Sequence, residues 1–287
     1  MYSMNIIKDF LKGILIGVAN IIPGVSGGTM AVSMGVYDQL ISAITGILKN
    51  FKRSMRILLP ILAGAVAGIG GLSFVIKFLL ENYPLQTSTL FIGLILGGLP
   101  ILFSHVKGAK IGVLHVILFI IFFAIVIAMA VFNGAESSVT DISVNFGTVI
   151  QLFLIGMVAS ATMIIPGVSG SLVMMILGFY NIIISNISAF ISSLATWNVD
   201  GLIHGIGIFL PFGLGVIAGI GIVAKVIEWL FAKQPILTYS AIFGLVIASP
   251  IAIIYKIGIS SVSVLGVIVA AITFAIGFAV AYFLGKE

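Results

Sequence analysis

The chain has 287 residues, of which 61% are hydrophobic and only 7% are Asp, Glu, Lys or Arg, against roughly 25% charged in an ordinary soluble domain. No aqueous fold hides that much apolar surface, and with no cysteine and three scattered histidines disulfides and thiolate chemistry are excluded and little is left for a metal site. The formal charge of +5 would suggest nucleic acid in a soluble protein, but here the bases cluster in short loops beside apolar runs and read as topology signals, so no nucleic-acid partner and no cofactor is expected.

In chain order, Lys8, Asp9 and Lys12 interrupt the first apolar stretch, and no small-residue cleavage site follows it. A signal peptide is therefore not predicted, and the first helix is expected to stay. From about 10 to 48 the sequence is apolar but broken at Pro23-Gly24-Val25-Ser26-Gly27-Gly28. Proline removes a backbone donor and glycine carries the largest ordering cost, so the run should end one helix and begin another. The arm 10–22 would make about 20 Å of helix, too short for a hydrocarbon core of about 30 Å, which favours a re-entrant hairpin. Full spans are predicted at 57–80, 85–104 and 111–132. A second broken segment, 146–194, is interrupted at Pro166-Gly167-Val168-Ser169-Gly170, and spans at 203–231, 237–255 and 262–284 close the chain. The expected fold class is an all-α polytopic membrane protein.

The distribution of bases gives an orientation. Lys8 and Lys12 precede the first hairpin and Lys49, Lys52, Arg53 and Arg56 follow it, so both flanks are expected on the cytoplasmic side. Glu81 then falls outside, Lys107 and Lys110 inside, Glu136 and Asp141 outside. After the second hairpin, Asp200 is outside, Lys225 and Lys233 lie near the inside, and Lys286 is inside, with Lys256 as the one outer exception. Both termini are expected in the cytoplasm.

The halves are related. A shift of 143 residues lays Gly13 on Gly156, the Pro23–Gly27 break on Pro166–Gly170, Gly35 on Gly178 and Tyr37 on Tyr180. A shift of 151 lays Pro60, Gly64, Gly68 and Gly70 on Pro211, Gly215, Gly219 and Gly221, Pro84 on Pro235, and Gly93 on Gly244. Repeats at 1–142 and 143–287 follow, each a broken hairpin plus three spans. Three crossings invert the second repeat relative to the first. Paired discontinuous helices in inverted repeats point to a transporter site near the midplane; the glycine pairs such as Gly64 and Gly68 read as close helix packing.

Glycines around a serine expose consecutive N–H groups where a helix begins, which outlines an anion site. Ser26, Thr29, Ser169 and Ser171 add hydroxyls, and Thr162 lies one turn before Pro166. Each hydroxyl suits capping as well as ligand contact. Ionisable residues within spans are functional hypotheses by default. Lys77 with Glu81, and Lys225 with Glu228, have helical pairing distance and also suit snorkelling to the headgroups. Asp38 falls within the return arm of the first hairpin, with Asn181 as its repeat counterpart, and is a candidate for proton coupling.

The motif Ala19-Asn20-Ile21-Ile22-Pro23-Gly24-Val25-Ser26-Gly27-Gly28-Thr29 and its second copy, Met163 to Gly170, resemble the bacterial polyprenyl-phosphate transporter family of the PopT type. The resemblance covers essentially the whole chain. It implies a transporter, not an enzyme, in the bacterial cytoplasmic membrane, returning undecaprenyl phosphate from the outer to the inner leaflet for cell-wall synthesis. The lipid phosphate and membrane lipids would be its partners, and Asn20, Pro23, Gly24, Ser26, Gly27, Gly28, Thr29, Thr162, Pro166, Gly167, Ser169, Gly170 and Ser171 would hold the head. The undecaprenyl-pyrophosphate phosphatases are a rival from another class, but their motif carries an arginine where this chain has Gly27 and Gly170. Without a cation or acid at the motif, phosphoryl chemistry lacks its main electrostatic stabilisation. The DedA-like transporters, a second rival, use arginine and acidic residues in hairpins that lack counterparts here.

Overall fold

The computed structural model describes residues 6–20, 25–131, 142–257 and 263–285, and every regular element among them is a helix. In chain order these are α1 (Ile6–Ala19), α2 (Gly27–Ser33), α3 (Tyr37–Thr45), α4 (Phe51–Asn82), α5 (Pro84–Gly97), α6 (Leu99–Ser104) and α7 (Val113–Val131). They continue with α8 (Phe146–Ile164), α9 (Gly170–Ile176), α10 (Tyr180–Thr196), α11 (Val199–Lys233), α12 (Pro235–Ile257) and α13 (Val264–Gly285). Seven segments are long and apolar enough to cross a membrane: α4, α5 with α6, α7, α8, α11, α12 and α13. The chain is thus an all-α, multi-pass membrane protein.

Six of the seven coincide with the spans expected from hydropathy. The seventh is α8, which the sequence suggested was merely the entering arm of a hairpin. Its 19 residues make about 28 Å of helix, close to the thickness of the hydrocarbon core, whereas the 14 residues of α1 make only about 21 Å. The two broken segments therefore differ in reach. Each return arm is itself divided. Gly35 (φ +67°) ends α2 and Gly178 (φ +78°) ends α9, the left-handed geometry that glycine adopts without a Cβ clash. After each, the next N–H reaches back in the same way, Val36 to the Ala31 carbonyl at 3.0 Å and Phe179 to the Met174 carbonyl at 2.9 Å. This is the Schellman arrangement, which satisfies carbonyls at a helix end.

The chain divides into two compact units, one of Met1–Val131, Ile165–Val168 and Ala224–Glu287, the other of Phe132–Ile164 and Ser169–Val223. In the first, α1 lies against α4, α5 against α13 and α12 against α7, while α2 is buried along its whole length. Glycine sets these approaches. A Cβ on Gly13 would run into the Ile61 carbonyl, one on Gly64 into the Phe10 carbonyl, and one on Gly68 into the Ile14 carbonyl. Without a hydrophobic drive between helices in lipid, such small-residue contacts let backbones close up and gain dispersion energy.

In the second unit the same contacts recur at the positions aligned by the repeat. Gly156 meets Phe212, Gly215 meets Phe153 and Gly219 meets Met157, each through the backbone. Leu152, Ile183 and Ile208 form its buried core. The later helices of the first unit repeat another pair: Gly93 presses on Phe274 and Phe278 of α13, and Gly244 on Phe119 and Phe123 of α7. Gly70 and Gly221, also aligned, have nothing within 4 Å of an added Cβ.

Candidate functional site

The site is built where α1 ends and α2 begins. Pro23 and Gly24, with Ile21 and Ile22, lie outside the described residues. Beyond them Ser26 is extended (φ −108°, ψ 136°) and caps α2, its Oγ accepting from the Gly28 N–H at 3.2 Å. That is the ordinary chemistry of an N-cap serine. Asn20, one residue past α1, folds back over the break: its Nδ2 donates to the Ile16 carbonyl at 2.9 Å and its Oδ1 accepts from the Gly27 N–H at 3.3 Å. Gly27 is required there, because an added Cβ would meet the Asn20 carboxamide at 2.5 to 3.0 Å.

Thr29, in the first turn of α2, is fully buried. Its Oγ1 accepts a 2.6 Å hydrogen bond from the N–H of Gly167, which sits in the second break at φ +77° against the Leu245 carbonyl. The two breaks, 138 residues apart, thus meet within the first unit through one short bond. Irregular backbone at membrane depth must be enclosed by protein or line a wet cavity, and this contact encloses part of both.

The remaining predicted residues separate. Pro166 is buried and Gly167 half-buried in the first unit, while Ser169 and Gly170 open α9 in the second. An added Cβ on Gly170 would lie 3.0 Å from the Ala159 carbonyl and 3.3 Å from Thr162 Oγ1. Thr162 donates back to the Ala159 carbonyl at 2.7 Å. Ser171 belongs to α9, and its side chain is outside the described residues. Three of the backbone donors expected to face an anion, those of Gly27, Gly28 and Gly167, are therefore taken by side-chain oxygens of this chain.

Of the ionisable residues, Lys77 and Glu81 approach to 3.9 Å, with side chains 73% and 62% exposed. That is a surface pair, of little energetic consequence. Lys225 and Glu228 are exposed on α11 and are not joined. Asp38 lies in the first turn of α3, where its Oδ2 accepts a 2.7 Å hydrogen bond from the Tyr239 hydroxyl of α12. Sequence reasoning missed two residues. Asp9 and Lys12 are 4% and 1% exposed, inside the first unit, and each is engaged by a partner. Their charge inside an apolar arm of only 14 residues was the available signal; the positive-inside reading absorbed it.

A profile of the family described as undecaprenyl phosphate translocase-like matches residues 16–210 and 206–286. The chain is similar to a polyprenyl-phosphate transporter of Staphylococcus aureus, 31% identical over 282 residues that cover 97% of this chain and 95% of the relative. It is also similar to a polyprenyl-phosphate transporter of Vibrio cholerae, 25% identical over 261 residues, 86% of this chain and 77% of that one. No solved structure matches it significantly.

Proposed function

The chain belongs to the undecaprenyl phosphate translocase-like family, and on that premise we propose that it is a transporter carrying a polyprenyl phosphate, undecaprenyl phosphate above all, across the bacterial cytoplasmic membrane. The net movement runs from the outer to the inner leaflet, and both termini face the cytoplasm. The observation that carries this reading is the half-buried bond between Gly167 and Thr29, which joins the two sequence breaks at one place. A lipid phosphate needs an enclosed polar path for its head, because an unpaired charge in hydrocarbon is prohibitive, while its tail can stay in the bilayer.

The internal satisfaction of the site fits this role. The Gly27 and Gly28 donors are held by neutral oxygens at 3.3 and 3.2 Å, at or beyond the long end of the ordinary range. A phosphate oxygen makes charge-assisted bonds roughly twice as strong. The head group displaces Asn20 and Ser26 from these N–H groups on arrival, and the side chains reclaim them on departure, so neither state leaves buried donors bare.

The test is leaflet-resolved movement of undecaprenyl phosphate in proteoliposomes holding the whole chain, with phosphate release from undecaprenyl pyrophosphate assayed on the same vesicles. Movement without phosphate release is expected. Phosphate release without movement would establish the enzyme instead.

A further inference from the structure

Where α3, the end of α6 and α12 meet in the first unit, they form a half-open cavity of about 40 Å³, room enough for an ordered water, with walls of mixed polar and apolar side chains. Four polar side chains line it, Tyr37, Asp38, His105 and Tyr239. Asp38 of α3 accepts from the Tyr239 hydroxyl of α12 at 2.7 Å. His105, the residue closing α6, stacks on the Tyr239 ring with centroids 4.8 Å apart and planes 29° apart. Its Nδ1 is 3.0 Å from the Ile101 carbonyl. A carbonyl only accepts, so Nδ1 carries the hydrogen in this contact. Tyr239 is buried and Asp38 is exposed, so the carboxylate connects the surface of the unit to an interior hydroxyl.

We propose that this junction is a proton-binding site, with Asp38 as the carrier, and that its occupancy is coupled to the lipid-phosphate movement proposed above, on which the coupling rests. Protonation places the hydrogen on a carboxylate oxygen of Asp38 and cancels its charge. The bond from Tyr239 then changes from charge-assisted to neutral, at about half the strength. That bond ties α3 to α12. Through the glycine turn at Gly35, α3 continues from α2, the helix that carries Thr29. Loosening one end of this short two-helix arm therefore frees the other end, which holds the second break.

The surroundings select a proton over a metal ion. Among the described residues Asp38 is the sole carboxylate lining the cavity, whereas a hard cation collects several oxygen ligands. From α2 and its turn only Val32 and Gly35 face it, from α12 Tyr239, from the α6 end His105, and on its own helix Tyr37. α4 also packs on α3, but its bases Lys52, Arg53 and Arg56 make no ion pair with Asp38. The repeat positions of Asp38 and Tyr239 are Asn181 and Ser88, neither of which titrates near neutral pH. The duplicated scaffold thus carries one such site.

The experiment uses the whole chain in proteoliposomes, with undecaprenyl phosphate as the probe, under an imposed pH gradient, a sodium gradient or none. Wild type is expected to accumulate the lipid phosphate in one leaflet only under the pH gradient. In Asp38→Asn that accumulation collapses to the gradient-free level while exchange of labelled for unlabelled lipid persists. Tyr239→Phe keeps the carboxylate and shifts the pH of half-maximal transport. Gradient-driven accumulation surviving in Asp38→Asn, or driven equally by sodium, overturns the proposal. Infrared titration of the purified protein reads the site without transport: the chain has eight acids, so the difference between wild type and Asp38→Asn must contain a protonated-carboxyl component that grows on acidification, and that component must move in Tyr239→Phe. A wild type that moves no lipid overturns the transport reading and the coupling with it, and the infrared band then decides alone whether the junction binds a proton.

Discussion

At the scale of the residue, the contact between Thr29 and Gly167 makes the sharpest demand. Thr29→Val keeps the shape but removes the acceptor, leaving the half-buried Gly167 N–H without its partner, at a cost toward the lower end of about 1–3 kcal/mol. The expected outcome is a lower thermal midpoint in detergent and loss of lipid-phosphate movement, both restored by Thr29→Ser; an unchanged Thr29→Val would mean the two breaks do not depend on each other. Gly27→Ala is expected to act differently. Its Cβ meets only the far end of the Asn20 side chain, which can swing away, so insertion and stability persist while Asn20 loses its place over the break and transport falls. Transport at the wild-type rate would reduce the motif to a turn. The proline and glycine signals marked where the helices break, and Ser26 followed from capping rules. The bond across 138 residues was not legible, because nothing local records which hydroxyl a distant N–H will meet. Lys12 was misjudged for a related reason: a base near the start of a membrane protein reads as a cytoplasmic anchor until packing shows it to be buried.

At the scale of the element, the aligned glycines divide into two kinds. Gly64→Val drives two methyl groups into the backbone of α1 at Phe10, which cannot rotate aside, and overpacking of this sort costs about 1–3 kcal/mol or more. A clear drop in the detergent melting midpoint is expected, and likewise for Gly215→Val against Phe153. Gly70→Ala, with open space around it, instead gains roughly 0.5–1 kcal/mol of helix propensity and should hold or raise the midpoint. Equal effects at Gly64 and Gly70 would show that α1 is not seated on α4. Hydropathy alone placed six of the seven long helices, because run length decides whether a segment can span, and missed α8 as a seventh. It did not divide the span at 85–104. There α5 stops at Gly97 and α6 begins at Leu99, since Pro100 lacks the N–H that would bond the Leu96 carbonyl. An added Cβ on Gly98 would clash with the backbone of Ser33, and the Ser33 hydroxyl takes the Ile95 carbonyl at 3.2 Å. Helix α2 thus lodges against the gap, a tertiary reason that hydropathy does not carry.

At the scale of the molecule, the glycine contacts repeat between the halves and the polar contact of Asp38 does not. Gly13 on Ile61 and Gly156 on Phe212, or Gly93 on Phe274 and Gly244 on Phe123, recur at aligned positions, whereas Asp38 with Tyr239 does not recur. Whether the second half is inverted depends on counting crossings, and labelling can count them. The chain has no native cysteine, so single thiols report cleanly. Ser54 is 3% exposed and unsuited, but Asn50 in the base-flanked loop before α4 is exposed, as are Ser143 before α8 and Asn198 before α11. Three candidate spans, α4, α5 with α6, and α7, separate Asn50 from Ser143. Asn50→Cys is therefore expected to label only from the cytoplasmic side and Ser143→Cys only from the other. Labelling of both from one side would remove the inversion and with it the approach of the two breaks from opposite faces. Asn198→Cys tests the second broken segment by itself. If α8 crosses and α9 with α10 returns, as their combined length permits, Asn198→Cys labels from the same side as Ser143→Cys. If α8 crosses and the return arm does not, it labels from the cytoplasmic side, and the second half then crosses the membrane one time more than the first.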